Sequence, residues 1–297
     1  MITTPGFYFD IAAADYFADP CPTPSLTQSI AKLLIERSPL HAWTAHPRLN
    51  PDFEPDDSRE FDVGNICHKL LIGRGKELVV LDQFDDWRTK EARALREAAA
   101  AEGRLAVLGK HYALADHIVG AAREQLALRH LAHLFNDGAG EVMTAWLDEM
   151  GGPQPATLWC RQLIDWLTHD RATMVDYKTT RESAAPHMLA RKMVNDGWDI
   201  QAAMAERGLR ALDGYNSPLR FLFVVQETEA PFALSVVELS ESALTMGRKK
   251  LDVAFALWRR CIEENRWPGY PTEIVVPEYP AFAEAQWLDR EQTEFAA

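Results

Sequence analysis

A predicted β-hairpin near the middle of the chain constrains its fold more than any other feature. Residues 158–167 are mostly apolar and predict one strand, residues 168–171 predict a turn, and residues 172–178 predict the returning strand. Side chains alternate between the two faces of a strand, so Asp176 and Lys178 lie on one face. The hairpin therefore presents a carboxylate and an ammonium group together near its end.

A second carboxylate, that of Asp165, belongs to the first strand of the same hairpin. If the turn centres near His169 and Asp170, Asp165 lies opposite Met174 and diagonal to Asp176, with the two backbones about 7 to 8 Å apart. Two carboxylates at that separation can share one divalent cation. A cation beside an ammonium group suits the attack of water on a phosphodiester.

The Asp-x-Lys tripeptide is a weak signal by itself, because charged residues at hairpin ends are usually solvated. Two features favour a functional site. Asp165 stands at the end of a mostly apolar strand, where an unpaired carboxylate is costly, and Thr179 and Thr180 follow Lys178 as a polar strand exit. A helical stretch that contains Gln201 comes next.

Composition limits the functions that fit such a site. The chain has 297 residues, 47% of them hydrophobic, which is enough to bury a large core in one domain or two. Its formal net charge of −13 argues against nonspecific coating of nucleic acid, although an enzyme with a local basic channel is still compatible with it. Residues 246–270 are the best candidate for a phosphate-facing surface, with a solvated helix face as an equally good alternative.

Cysteine usage and hydropathy predict a cytoplasmic protein without a membrane partner. The 4 cysteines have no C-x-x-C spacing, so neither a zinc ribbon nor an iron–sulfur cluster is expected, and the thiols should be reduced and largely buried. No apolar run approaches the roughly 18 residues of a membrane-spanning helix, and the residues after Met1 lack the pattern of a signal peptide.

The chain divides into three parts by composition. Residues 1–24 predict an extended arm with aromatic anchors, residues 25–271 a folded domain, and residues 272–297 an irregular tail rich in Pro and acidic residues. Within the domain, helical and strand patterns mix, and residues 106–134 predict one long Ala-rich helix. We therefore expect an α+β fold with a mixed central β-sheet flanked by helices.

Several charged and polar residues follow one another in an order that is typical of a known superfamily. They are Gly64-x-x-x-His68, Glu141, Asp165, Asp176-x-Lys178 and Gln201. With these residues the chain resembles the PD-(D/E)xK nuclease superfamily. It is most similar within it to the RecE-type exonucleases, the exodeoxyribonuclease VIII family of phages and prophages. The likeness covers nearly the whole chain and implies a restriction-endonuclease-like core for the domain.

The resemblance implies a metal site. Asp165 and Asp176 would bind Mg²⁺, helped by the backbone carbonyl of Tyr177, and Mn²⁺ would substitute for it. His68 would be a further ligand or a phosphate contact, and Glu141 would lie near a second metal position. Hard oxygen ligands with open positions for water suit Mg²⁺.

The resemblance also implies roles for the remaining residues. Lys178 would orient the attacking water or help to deprotonate it, and we favour positioning over proton abstraction. Gln201 would hold the lysine or the water in place. Two departures from the family pattern stand at Leu163, where relatives commonly have Arg, and at Ala205, where a Tyr is common. They leave the metal ligands intact but remove expected substrate contacts.

As an activity, the resemblance implies digestion of linear double-stranded DNA from its 5′ ends in phage-type recombination. Its implied partners are DNA ends, a single-strand annealing protein of the RecT type, and further copies of the chain, with a ring as one arrangement. Two alternatives stay open: a RecB-like or Cas4-like nuclease without an iron–sulfur cluster, and a catalytically silent DNA-end binding scaffold.

His130 and His133 lack zinc-ligand companions, so we interpret them as ordinary helix residues.

Overall fold

A computed structural model describes residues 1–54, 63–150, 156–214 and 219–295. The described helices are α1 (Ala13–Phe17), α2 (Gln28–Glu36), α3 (Pro39–Thr44), α4 (Val63–Ile72), α5 (Lys90–Ala101), α6 (Gly109–Leu128), α7 (Pro186–Asp196), α8 (Trp198–Asp213), α9 (Glu241–Glu264) and α10 (Ala281–Glu294). The described strands are β1 (Gly6–Tyr8), β2 (Leu78–Leu81), β3 (Leu105–Leu108), β4 (Gly138–Met150), β5 (Ala156–Thr168), β6 (Thr173–Thr180), β7 (Arg220–Glu227) and β8 (Leu234–Glu238). Gly151, Gly152 and Pro153 predict a turn between β4 and β5, but they lie outside the described residues.

A six-stranded mixed sheet forms the centre of the fold, with the strand order β1-β4-β5-β6-β7-β8. β6 and β7 run parallel, and the other neighbours are antiparallel. The parallel pair requires a crossover, which α7 and α8 supply. β2 and β3 form a separate parallel pair. The predicted α+β class with a mixed central sheet is confirmed.

Helices cover both faces of this sheet. On one face, α8 and α9 pack on the long β4–β5 hairpin through Trp146, Ile200 and Phe255. On the other face, α4 and α6 pack against β6 and β7 through a cluster that contains Cys67 and Ile118. All four cysteines are free and buried, as predicted. No helix of the described residues is long and apolar enough to cross a membrane.

The N-terminal arm is a folded part of the sheet rather than an extended segment. β1 pairs with β4 in a register that places Phe7 beside Thr144. Tyr16 of α1 is buried, and its hydroxyl accepts the Leu163 N–H at 3.2 Å. Phe9 and Phe17, expected as anchors, are exposed. The arm is therefore anchored by backbone pairing and by Tyr16.

A buried polar cluster joins the arm to β5. The Arg161 guanidinium lies 3.0 Å from Asp19 Oδ1 and donates to Tyr16 O at 3.2 Å. Ser25 donates its hydroxyl to Asp19 at 2.7 Å, and His46 Nε2 lies 3.4 Å from the same carboxylate. Burial lowers the pKa of His46 to about 4, so the imidazole is neutral at pH 7. Arg161 is thus the charge that neutralises the buried Asp19.

Two sequence predictions about helices were wrong. Residues 105–108 form β3, which pairs with β2, and the predicted long helix begins only at Gly109 and ends at Leu128. The pattern is ambiguous there because a short apolar run fits a strand or a buried helix equally. The tail, expected to be irregular, contains α10, a helix in which no residue is buried.

We predict that Arg161→Ala lowers the free energy of unfolding by about 3–5 kcal/mol, because it leaves the Asp19 carboxylate buried without its partner. Arg220→Ala is the matched control, since Arg220 pairs with Glu238 at the surface and should change stability by less than about 1 kcal/mol. Urea unfolding of both variants measures the difference. Equal midpoints for the two would show that the buried cluster does not anchor the arm.

Candidate functional site

The β5–β6 hairpin exists, but its register differs from the predicted one. Trp166 pairs with Val175 and Leu167 pairs with Met174. The same register brings Asp165 level with Asp176, so the prediction that Asp165 lies opposite Met174 was wrong. The connection spans four residues, 169–172, and is centred one residue later than assumed.

The geometry of the turn explains this shift. Asp170 Oδ1 accepts the Thr168 hydroxyl at 2.6 Å and the Ala172 N–H at 3.0 Å. Arg171 takes the left-handed conformation, with φ of 57°. An Asx turn followed by a left-handed residue makes a four-residue connection, which a periodicity argument cannot distinguish from a shorter one.

Beyond Trp166 and Val175, the two strands separate. The ladder between β5 and β6 ends at this pair. At the next position the Tyr177 N–H donates to Asp165 Oδ2 at 3.0 Å, so a side chain takes the place of the neighbouring strand. The split leaves a cleft between β5 and β6, and both carboxylates lie at its start.

Asp176, Lys178 and Gln201 form one hydrogen-bonded group on the α8 side of this cleft. Lys178 Nζ lies 2.7 Å from Asp176 Oδ2 and donates to Gln201 Oε1 at 3.2 Å. Gln201 Nε2 donates to Asp176 Oδ1. The amide therefore holds the carboxylate and the ammonium group at the same time.

Two aromatic rings form the other side of the lysine environment. Trp198 of α8 and Phe223 of β7 stack with their centroids 4.9 Å apart. Lys178 Nζ lies 5.8 Å from the Trp198 ring and 5.6 Å from the Phe223 ring. A cation over ring faces is favoured, so these rings restrict where the ammonium group can point.

His68 and Glu141 approach from the α4 side of the sheet. His68 Nε2 lies 3.5 Å from Asp165 Oδ2, and its Nδ1 lies 3.9 Å from Glu141 Oε1. His68 thus lies between the carboxylates of Asp165 and Glu141. Asp165 belongs to the β5–β6 pair, which also carries Asp176 and Lys178. The structure brings together all the side chains that the sequence singled out, and Tyr177 links them through its backbone.

The electrostatics of the site are dominated by burial and by close negative charges. Burial raises the pKa of the Asp176 carboxyl, and the Asp165 charge raises it further, against the opposing effect of Lys178. Burial also opposes ionisation of Asp165, but the hydrogen bond and charge of His68 leave its pKa below the ordinary value. Burial lowers the pKa of His68, yet Asp165 and Glu141 outweigh it and the net pKa is raised. The site therefore favours added positive charge.

Glu141 has an unusual backbone conformation for a residue in a strand, with φ of 50°. Its neighbours keep their pairs, Gly140 with Trp166 and Val142 with Ile164, but Glu141 and Asp165 do not pair. A left-handed non-glycine residue costs of the order of 1–3 kcal/mol and is most often retained at functional sites. The strand pair is thus kinked where it carries the two carboxylates.

The kink changes which face each side chain occupies. Ile164 and Leu167 are three residues apart, yet both pack in the cluster beneath α8. Trp166, between them, packs with α4 and α6 on the other face. Strict alternation would place Ile164 and Leu167 on opposite faces. Asp165 lies at this crossover, where it can meet groups from both faces.

Sequence reasoning missed Gln162. Its side chain is fully buried on β5, and its Nε2 donates to Gln28 Oε1 at 2.9 Å and to the backbone oxygen of Gln201 at 3.2 Å. It therefore fixes the first turns of α8 to the strand that carries Asp165. An amide in the middle of an apolar strand was the available signal.

The two family departures lie inside hydrophobic packing. Leu163 packs against the N-terminal arm, and Ala205 is fully buried against the sheet. The predicted basic surface is partly neutralised: Arg248 pairs with Glu206 at 2.8 Å, and Lys250 pairs with Asp199 at 2.6 Å. These ion pairs favour the alternative interpretation of residues 246–270, a helix face.

Comparison with family models gives one match, a PDDEXK-like domain of unknown function (DUF3799), over residues 31–276. The chain belongs to this PDDEXK-like family. The match covers most of the chain and supports the PD-(D/E)xK nuclease superfamily and its restriction-endonuclease-like fold. It does not distinguish the RecE type within the superfamily. No curated protein matches the chain.

One solved structure supports the fold. A crystal structure from Eubacterium rectale, described as a "Putative exonuclease", superposes with a TM-score of 0.57 at 11% identity, covering 94% of this chain and 98% of that chain. A second structure, described as SSO0001, gives a TM-score of only 0.27 at 13% identity over 70% of this chain and 97% of that one, and carries no argument. At 11% identity, the similarity to the Eubacterium rectale structure shows only that the two chains share a fold.

The donor set of the PDDEXK-like site fits a hard divalent cation. Asp176 Oδ2 is buried and accepts no aligned hydrogen bond, and Lys178 approaches it only as an ion pair. Asp165, Asp176 and Glu141 would supply carboxylate oxygens, with His68 beside them. Among the described residues no three such side chains converge as a ready-made metal site. The carboxylates instead bond to His68, Lys178 and Gln201, which an added cation would partly replace.

We predict that Mg²⁺ raises the melting temperature of the wild-type chain and that Asp176→Asn removes most of this rise. Binding to the folded state alone adds about 2.7 kcal/mol at a hundred times Kd, and the variant loses a ligand oxygen with its charge. Thermal unfolding with Mg²⁺ and with EDTA measures the effect. Asp213→Asn, which alters a carboxylate paired with Arg171 outside the site, is the control and should keep the full rise. An equal rise in all three proteins would contradict the assigned metal ligands.

Proposed function

We propose that this chain is a metal-dependent DNA nuclease and that it acts as a RecE-type exonuclease on the ends of linear double-stranded DNA. The observation that carries the proposal is the group formed by Asp165, Asp176, Lys178 and Gln201 at the split between β5 and β6. Membership of the PDDEXK-like family supports the nuclease activity.

The side chains suit hydrolysis of a phosphodiester. A bound Mg²⁺ would neutralise charge on the phosphoryl oxygens and make water more acidic. Asp165 and Asp176 would hold that ion. Lys178 would orient the attacking water and stabilise the negative charge that develops during attack, because its ammonium group is fixed between Asp176, Gln201 and the aromatic rings.

His68 would keep Asp165 ionised and oriented. Its ring lies within ion-pair distance of Asp165 and close to Glu141, so it can shift toward either carboxylate when a ligand binds. Glu141 is the candidate for a second metal position.

The exonuclease form of the proposal has two supports. The chain resembles the RecE type in the order of its site residues, and the Eubacterium rectale protein of the same fold is described as a "Putative exonuclease". We propose 5′ to 3′ polarity, a RecT-type annealing partner, assembly into a homo-oligomer such as a ring, and a cytoplasmic role in phage-type recombination on the same resemblance.

We predict that the purified chain with Mg²⁺ digests a linear duplex and spares the same DNA as a closed circle. Duplexes labelled at either the 5′ or the 3′ end should show early release of the 5′ label. Asp176→Ala and Lys178→Ala should each lower the rate about a hundred-fold or more, because the first removes a ligand of the proposed cation and the second removes a positive charge beside the reacting phosphate. Gel analysis of timed samples measures both outcomes.

Lys192→Ala is the matched control for Lys178→Ala. Both lysines have side chains that are 26% exposed and paired with carboxylates, but Lys192 binds Glu182 and Asp196 away from the site. Its rate should equal that of the wild type. Binding of DNA ends without digestion in Mg²⁺ or Mn²⁺ would instead favour the scaffold alternative, and cutting of the circle would identify an endonuclease.

A further inference from the structure

A short basic loop follows α4 on the Glu141 side of the candidate site. It consists of Gly73, Arg74, Gly75 and Lys76, and we call it the 73–76 loop. Both glycines have positive φ, 80° and 97°, which an L side chain rarely adopts. The loop therefore turns tightly directly after the helix that carries His68.

Close contacts place this loop against the kinked part of β4. A Cβ at Gly140 would lie 2.8 Å from Arg74 Cγ, so the arginine stem passes over Gly140, next to Glu141. A Cβ at Gly75 would lie 3.8 Å from Glu141 Oε1. The loop backbone and the Arg74 stem thus border the carboxylate that His68 contacts.

A second cation reaches the same loop from α4. Lys69 follows His68 in the helix, and its Nζ donates to Gly75 O at 3.1 Å. Nothing lies within 4 Å of a Cβ placed on Gly73, so the backbone on that side is open. The Gly73 N–H is bonded to Lys69 O at 2.9 Å, so the attraction for an anion such as a phosphate comes from the Lys69 and Arg74 side chains beside this open surface.

Arg74 is paired in this structure with a carboxylate that a phosphate can displace. Its Nη1 lies 2.9 Å from Asp10 Oδ1, and the Asp10 side chain is 81% exposed. An exposed ion pair contributes little to stability, so exchanging its partner costs little. By contrast, the cations of α9 such as Arg248 and Lys250 are held by partly or largely buried carboxylates of α8.

We propose that the 73–76 loop, with Lys69 of α4, binds a backbone phosphate of the DNA beside the candidate metal site. This inference rests on the proposed nuclease function and identifies one contact between the protein and its DNA substrate. It places the phosphate contact on the α4 side, whereas the family position at Leu163 is apolar and packs against the arm. In the bound state Arg74 exchanges Asp10 for the phosphate.

The exchange predicts opposite effects for the two partners of one ion pair. Arg74→Ala should raise the KM for a linear duplex roughly three- to ten-fold with kcat within about two-fold, and it should reduce the salt slope of log kcat/KM by about 0.9 because one phosphate contact is lost. Asp10→Asn should lower the KM, because it removes the competing carboxylate. A merely structural ion pair would make both substitutions act in the same direction.

Initial rates on a linear duplex between about 50 and 200 mM salt measure these constants. Arg290→Ala is the control, since Arg290 is also about half exposed and paired with one surface carboxylate, that of Glu294. Its KM and salt slope should equal those of the wild type. Digestion by the wild type with unchanged KM and slope in Arg74→Ala would overturn this inference alone, whereas absence of digestion by the wild type would overturn the proposed function.

Discussion

The separation of β5 from β6 is the constraint on which the rest of the site depends. Asp165 and Asp176 are level in the hairpin register, and two buried like charges side by side disfavour a closed ladder. The ladder ends one pair earlier, and the Tyr177 N–H finds its acceptor in the Asp165 carboxylate. Because this hydrogen bond replaces the lost backbone pair, the strands can part without leaving that amide unsatisfied.

The kink at Glu141 gives this cleft access to both faces of the sheet. On one side α4 brings His68, and on the other α8 brings Gln201. A flat hairpin with strict alternation would direct Asp165 and its neighbours to one face only. The left-handed conformation of Glu141 is locally unfavourable, but it allows one strand pair to contact both His68 of α4 and Gln201 of α8.

The protein handles its buried charges in two different ways. Around Asp19, every charge is matched by Arg161 and by hydrogen bonds from the arm, which is typical of a structural cluster. Around Asp176, by contrast, three carboxylates share one lysine and one histidine, and an oxygen of Asp176 has no aligned donor. Excess negative charge of this kind is unfavourable for folding, which is why it points to a ligand rather than to stability.

Local patterns were sufficient to predict the hairpin, the shared face of Asp176 and Lys178, the helix that contains Gln201 and the α+β class. These features depend on neighbours within a few residues, where periodicity and capping are informative. The tertiary structure alone decided the hairpin register, the split of β5 from β6, the kink at Glu141 and the approach of the 73–76 loop. Each of these depends on turn geometry or on contacts between residues far apart in the chain. The periodicity of hydrophobic residues predicts neither.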